Sequence, residues 1–536
     1  MTGGRVWTEN PAQPEAEAIA VRDTRILQVG TSREVMKLGG PNTRVVDLNN
    51  RLAVPGFNDA HVHFYIGGAT LSSVQLRSAK SPSEFRDRIA EFARSKRKGE
   101  WILFGEWDPE DWSPPHVLSH ELIDDVTPDN PVFITRVDGH SSLANALAMK
   151  IAGVERHTAD VPGGEIQRDR AQDPTGIFKE AARNLITRAI PAPTVDKMSA
   201  ALSAAQNHSI RHGVTSVQDM GLLGADAISN SPNLLHAYQR LLRESQLKIR
   251  VSLHTPLPVW RRLADLGVAA GFGNERFRIG AVKGFSDGSL GSNTAWFFEP
   301  YLDAPHTCGL PGEELSDGAG MYEKIFGSDH AGLQLVIHAI GDRANHTVLD
   351  FFERLNNDAG VRDRRCRIEH AQHLAPGDIP RFAAEGVIAS VQPFHLVEDG
   401  RWAERRIGVE RARLSWPLRS LLDAGAKLAI GTDWWVAPIN PLQTIHAAVT
   451  RCTAGSKDKE GWIPEERISV AEAVHAYTVG SAYAEFAEHV KGSLEPGKFA
   501  DIAVLSEDIF HIDPHDIQHV DVELTVLGGE VLYERR

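Results

Sequence analysis

A (β/α)8 barrel of the TIM type, joined to a small β-sandwich built from both chain ends, is the fold class this sequence predicts. Three observations predict it. From residue 55 to about residue 480, short apolar runs alternate with helical stretches, the rhythm of a parallel sheet. Eight such runs can be picked out, the number that closes a barrel. Both ends of the chain carry strand–turn–strand patterns instead.

Residues 18–30 form two short strands around a polar turn, and residues 44–48 a further strand. Residues 501–505, 524–527 and 528–533 repeat the pattern at the far end. Residues 1–54 and 481–536 are therefore expected to form one composite β-sandwich, with the barrel at 55–480. The first barrel strand lies in Val54-Pro55-Gly56-Phe57-Asn58-Asp59-Ala60-His61-Val62-His63. Alternate residues of a strand share a face, so His61 and His63 reach into one space. Neutral imidazole is a ready ligand for zinc and similar ions.

An interval of about 70–195 then interrupts the rhythm. It is rich in Trp, Pro and Asp: Trp101, Trp107-Asp108-Pro109 and Asp111-Trp112-Ser113-Pro114-Pro115. So long a segment without repeating units is expected to be a functional insertion, a lid over the barrel mouth. A helix around 196–212 restores the pattern, followed by strands at 213–219, 248–254, 277–283, 333–338, 366–370, 387–392 and 427–433. Five of the eight strands end in a residue able to bind metal: His61 with His63, Lys283, His338, His370 and Asp433. Each alone is unremarkable, because loops begin there. Barrel strand ends converge on one small volume, however, and together these residues predict a metal site.

Composition bounds the partners. Lys and Arg total 57 against 71 Asp and Glu, a formal charge of −14, which argues against nucleic acid. No apolar run has membrane-spanning length, and Met1 to Trp7 lacks the regions of a signal peptide. Cys308, Cys366 and Cys452 are widely spaced, with no disulfide or metal pattern, so a reducing cytoplasm is expected. The expected partner is a small-molecule substrate, with a homodimer compatible.

The order His-x-His, Lys, His, His, Asp on successive strands resembles the amidohydrolase superfamily. Six motifs narrow the resemblance to the branch that includes the N-substituted formamide deformylases. They are the His61 stretch from Pro55, Lys283-Gly284-Phe285-Ser286-Asp287-Gly288-Ser289, Ile337-His338-Ala339-Ile340-Gly341-Asp342-Arg343-Ala344, Arg367-Ile368-Glu369-His370-Ala371-Gln372-His373, Gly431-Thr432-Asp433, and Gly492-Ser493-Leu494-Glu495-Pro496-Gly497-Lys498-Phe499-Ala500-Asp501. Similar proteins usually begin with one more apolar strand before the Thr-Gly-Gly stretch, and here it is absent.

The resemblance implies a metal-dependent hydrolase of non-peptide C–N bonds with two divalent ions, zinc being expected. His61, His63 and Asp433 would hold one ion, and His338 and His370 the other. Lys283 would carry a carbamate between them, its amine freed for that addition by burial. The alternative is a structural Lys283 paired with Asp287. Asp433 would act as general base and then acid, with His338 beside it among the catalytic residues. His373 rivals His370 as ligand and otherwise suits a supporting or substrate role. Arg136 and His140, with Trp107, Asp108, Trp434 and Trp435 as an aromatic wall, are the substrate-side candidates; a core role for His140 is the alternative. An ester, lactone or phosphoester hydrolase would use the same site. A mononuclear deaminase would want a glutamate soon after the fifth-strand histidine, where His338 is followed by Ala-Ile-Gly-Asp-Arg.

Overall fold

The computed structural model describes residues 1–109, 112, 118–223, 227–315 and 320–535, so most of the 111–115 Pro-rich stretch lies outside the described residues. At its centre is an eight-stranded parallel sheet. Its strands are β1 (Phe57–Val62), β2 (Val214–Asp219), β3 (Arg250–Pro256), β4 (Phe277–Phe285), β5 (Gln334–Ala339), β6 (Arg367–His370), β7 (Ile388–Val391) and β8 (Lys427–Ile430). Each pairs in parallel with the next in sequence. The ring closes just past β8, where Val62 bridges Trp434. Two backbone bonds fix that seam: Asp433 N–H donates to His61 O at 2.7 Å and His63 N–H to Trp434 O at 2.7 Å.

Strands covered on both faces read as continuous apolar runs, which is why they could be picked out in the sequence. In β5 every residue is buried. Leu335 and Ile337 pack outward into the main core, while Val336 points inward to meet Met220 and Ala281. The inner face of β6 is charged instead. Arg367, fully buried, donates to Ala60 O at 2.7 Å and Ser390 Oγ at 2.9 Å and pairs with Glu369 at 2.8 Å. Breaking so buried a pair from one side costs about 3–5 kcal/mol.

Both chain ends meet in a six-stranded sheet. Its order is Glu15–Ala16, Arg5–Trp7, Leu52–Pro55, Ile502–Leu505, Val522–Leu527, Glu530–Glu534. The hairpin Ala18–Arg22 with Arg25–Gly30 forms a second sheet, and Ile19 and Ile26 share a core with Val6, Ile502 and Val526. The strand expected at 44–48 does not form. Asp47 makes one bridge to Thr2 and Val45 is 52% exposed, although Val46 and Leu48 pack into the core of the terminal sheets. Arg5–Trp7, passed over in the sequence, takes the place beside Leu52–Pro55.

The insertion has its own five-stranded sheet, ordered Gly164–Arg168, Pro174–Glu180, Ser141–Ala144, Val132–Arg136, Ile102–Trp107. Phe85, Ile89, Trp107 and Ile134 help form its separate core. Among the described residues, no helix is long and apolar enough to cross a membrane.

Candidate active site

β1 delivers His61 near its end and His63 one residue beyond it. The His61 Nδ1 lies 2.5 Å from a Glu369 carboxylate oxygen, both groups buried. That contact commits Nδ1 as donor and leaves Nε2 for the cavity. Nε2 of His61 and Nε2 of His63 each stand 3.4 Å from Asp433 Oδ1. One ligand atom from each of these residues lies within 4.8 Å of the others, a span one metal ion could bridge. Gly431 permits the approach: a Cβ there would stand 2.4 Å from the His61 nitrogen. Asp59 ties the same strands, accepting from Thr432 N–H at 2.9 Å, Thr432 Oγ at 2.6 Å and Tyr477 Oη at 2.9 Å.

His370 ends β6 with φ 74°, and Asp433 follows β8 with φ 59°. Left-handed backbone in non-glycine residues is costly and concentrates at functional sites. Asp433 belongs to a second group of ligand atoms with His370 and His395, again within 4.8 Å. His395 Nε2 lies 3.2 Å from Asp433 Oδ2, so the carboxylate faces a different set of imidazoles through each oxygen. Burial alone would raise the Asp433 pKa, but His61, the His395 hydrogen bond and His63 hold it well below the usual carboxylate range. Burial depresses the imidazoles, His63 to about 4 and His61 and His370 well below the ordinary value. They are neutral at pH 7 and fit to ligate.

The His338 ring stacks edgewise 4.5 Å from that of His370. Its Nε2 faces Gly288 O at 3.1 Å and Asp287 at 3.3 Å, and it joins neither three-residue group. Lys283 is 2% exposed, and burial lowers its pKa to about 8. Its Nζ has no hydrogen-bond partner among the described residues. The alternative of a Lys283–Asp287 pair is not found there. Asp287 instead accepts the N–H groups of Trp296 at 2.9 Å, Ile340 at 3.0 Å and Gly341 at 2.8 Å.

A cavity of about 420 Å³ opens above these residues. Asp138, His140, Glu180 and Arg183 of the insertion line it together with His61, Lys283, His370 and Asp433, so the insertion stands over the C-terminal strand ends. His140 lies 5.2 Å from the His338 ring and 2.9 Å, through Nδ1, from Glu180. Burial works to lower the His140 pKa, and Glu180 overturns it, leaving a net rise. Arg136 donates to Gly291 O at 2.7 Å and lines a polar side pocket of about 50 Å³ with Asp108, His395 and Asp433.

Three other expected residues are not brought to the cavity. Trp107 sits in the insertion core and donates to Ile134 O at 3.1 Å. Trp434 packs on Phe64 and His208, whereas Trp435 lines the cavity 5.4 Å from His63. His373 is held by Ser415 at 2.7 Å beside Phe297 and Trp416, its pKa pushed down by burial to about 3. Between the rivals, His370 is the one among the other imidazoles. The sequence reading missed His395, Glu369 and Glu180. Glu369 had a signal, since it is the inward neighbour of His370 on an apolar strand. His395 had none at a strand end, because it opens the short helix His395–Asp399 after β7.

Comparison with known proteins decides the family. Residues 44–533 match the model of the amidohydrolase family. The chain belongs to it. Membership makes the chain a hydrolase acting on carbon–nitrogen bonds with a divalent metal. It is 40% identical, over 99% of its length and 91% of the relative's, to Protein LONG AFTER FAR-RED 3 of Arabidopsis thaliana. To the N-substituted formamide deformylase of Arthrobacter pascens it is 28% identical, covering 97% of this chain and 95% of the other. A solved structure of an uncharacterized metal-dependent hydrolase from Pyrococcus horikoshii OT3 superposes with a TM-score of 0.76 at 27% identity, over 96% of this chain and 98% of that one.

Proposed function

We propose that this amidohydrolase cleaves the C–N bond of a small non-peptide amide at a site for two divalent ions, zinc being the ion of choice for the imidazole-rich donor set. One observation carries the proposal. Asp433 is shared between two groups of imidazoles, of which His61, His63 and His370 are buried and neutral, and Lys283 Nζ, His63 Nδ1, His370 Nδ1 and Asp433 Oδ1 are all buried without a hydrogen-bond partner among the described residues. Buried polar atoms are almost always satisfied, so such a gathering suits ions and ligands between them.

His61, His63 and Asp433 would hold one ion and His338 with His370 the other. The closeness of His395 to His370 and Asp433 supports a second reading, in which His395 takes the place of His338. Ions held there supply Lewis acidity and acidify water near neutral pH. A neutral Lys283 amine can add carbon dioxide, losing one proton to give a carbamate, and burial supports the neutral form. Asp433 takes the proton of the attacking water and returns it to the leaving nitrogen, which departs poorly as an anion. His140 would hydrogen-bond the substrate carbonyl, a role its position on the cavity lining supports. Leu222, Phe285, Leu310 and Trp435 line the cavity and suit an apolar amine substituent. The insertion above excludes water and strengthens these charges.

The likeness to a formamide deformylase makes N-substituted formamides the first compounds to assay, beside N-acyl-amino-acids and lactones. The expected result is release of amine, lost on chelation and restored by zinc. Turnover of lactones with none of any amide would overturn the proposal.

A further inference from the structure

Glu180 is one of the acids lining the cavity that the chemistry above leaves unused. It closes the strand Pro174–Glu180 and holds φ 45°, ψ −128°, a backbone region that residues with a Cβ seldom enter. Its own N–H donates to His140 O at 2.9 Å. The carboxylate is engaged on two sides: Thr294 Oγ donates to Oε1 at 2.5 Å, and His140 Nδ1 lies 2.9 Å from Oε2. The barrel loop after β4 receives it only because residue 288 is glycine. A Cβ there would stand 2.1 Å from Oε1. The His140 stretch and the loop after β4 thus converge on one carboxylate, and the His140 ring lies 5.2 Å from that of His338.

With Nδ1 committed to Glu180, Nε2 is the other polar atom of His140, and it takes no hydrogen bond among the described residues. The ring borders both the main cavity and the polar side pocket. We propose that Glu180 is a positioning residue for His140, accepting a hydrogen bond from Nδ1 and so presenting the Nε2–H of the imidazolium to the carbonyl of the substrate amide. The inference rests on the amide-hydrolysing reading of the cavity. A carboxylate that merely tied the insertion to the barrel would need Thr294 alone. The strained backbone and the paired contacts to one residue, His140 O and His140 Nδ1, instead bring residue 180 to the imidazole.

A double-mutant cycle on the zinc-loaded full chain tests this, with N-benzylformamide as probe. Glu180→Ala and His140→Ala should each lower kcat by about a hundredfold, the usual scale of one hydrogen-bonding or proton-transfer group. If Glu180 acts through His140, the double variant is no slower than His140→Ala alone. Glu180→Gln, whose amide oxygen still accepts the Nδ1 proton without changing volume, should recover most of the loss. Losses that multiply in the double variant would overturn the proposal. If wild type leaves N-benzylformamide intact, that counts against the amide reading, and NMR of protein labelled with ¹⁵N-histidine decides the positioning separately. The Nδ1–H signal that His140→Ala removes should also vanish in Glu180→Ala and persist in Glu180→Gln. An unchanged signal in Glu180→Ala refutes the role.

Discussion

The barrel strand ends and the insertion reach the same cavity by different means. β1, β5, β6 and the turn after β8 place His61, His338, His370 and Asp433 through strand register, with the backbone itself clamped at the Val62–Trp434 seam. The insertion places its residues through side-chain bonds across the gap: Glu180 to Thr294, Asp138 to Ser292 at 2.6 Å, Arg136 to Gly291 O at 2.7 Å. Register is cooperative with the whole sheet, whereas a side-chain bond is worth about 0.5–1.5 kcal/mol and can be cut singly. The barrel half should therefore tolerate little change in chemistry but keep its geometry. The insertion half should lose geometry first.

The largest effect is expected where both groups of imidazoles meet. Asp433→Asn keeps the shape but removes the proton carrier and a ligand charge, and should lower turnover by roughly a thousandfold or more while the fold, by circular dichroism, is unchanged. Turnover within a few-fold of wild type would mean that the proton is carried elsewhere.

Lys283 offers the next largest effect, in metal-free protein. Its folded pKa of about 8 lies below the ordinary lysine value of 10.5, so between those values the unfolded chain holds a proton the native state lacks. Stability must then rise with pH across that window, by roughly 3 kcal/mol if the shift is fully expressed. Buried Lys491 contributes over the same window in both proteins, so denaturant titrations should show a steeper rise in wild type than in Lys283→Met. Equal slopes would mean that folding does not lower the pKa of the Lys283 amine.

Glu369→Gln probes the hold on His61. Loss of such a carboxylate partner weakens metal binding by about 10–100-fold, measurable by competition with a chelator. Unaltered affinity would show that the His61 orientation does not depend on Glu369. The smallest effect belongs to the insertion core. Trp107→Phe deletes one buried hydrogen bond to Ile134 O and should cost about 1 kcal/mol of stability. Turnover should stay unchanged, and a large loss of it would put Trp107 back in the site.

The same contrast governs what the sequence could reveal. All eight barrel strands were legible because a strand buried on both faces must be apolar along its whole length and polar where it opens onto the site. His61, His63, His370 and Asp433 stood out for that reason. Arg367 and Glu369 did not, since a charged pair inside a barrel is recognised only when the partner strands are in place. His395 escaped because it lies on a helix, where strand periodicity gives no direction. Trp107 of the insertion and Trp435 after β8 look equally suited to line a pocket. Only the separate core of the insertion decides that the first turns away and the second faces His63. Residues 44–48 show the converse, a β-prone run that packs Val46 and Leu48 into a core yet makes a single bridge, Asp47 to Thr2.

Two ions, one held by His61, His63 and Asp433 and the other on the His370 side, with a modified Lys283 between them, are the centre of the proposal. Crystals of the protein purified with zinc and bicarbonate, measured above and below the zinc absorption edge, test it most directly. The account predicts two anomalous peaks within the groups formed by His61, His63, His370 and Asp433, and density extending beyond Lys283 Nζ. A single peak beside an unmodified lysine would contradict it.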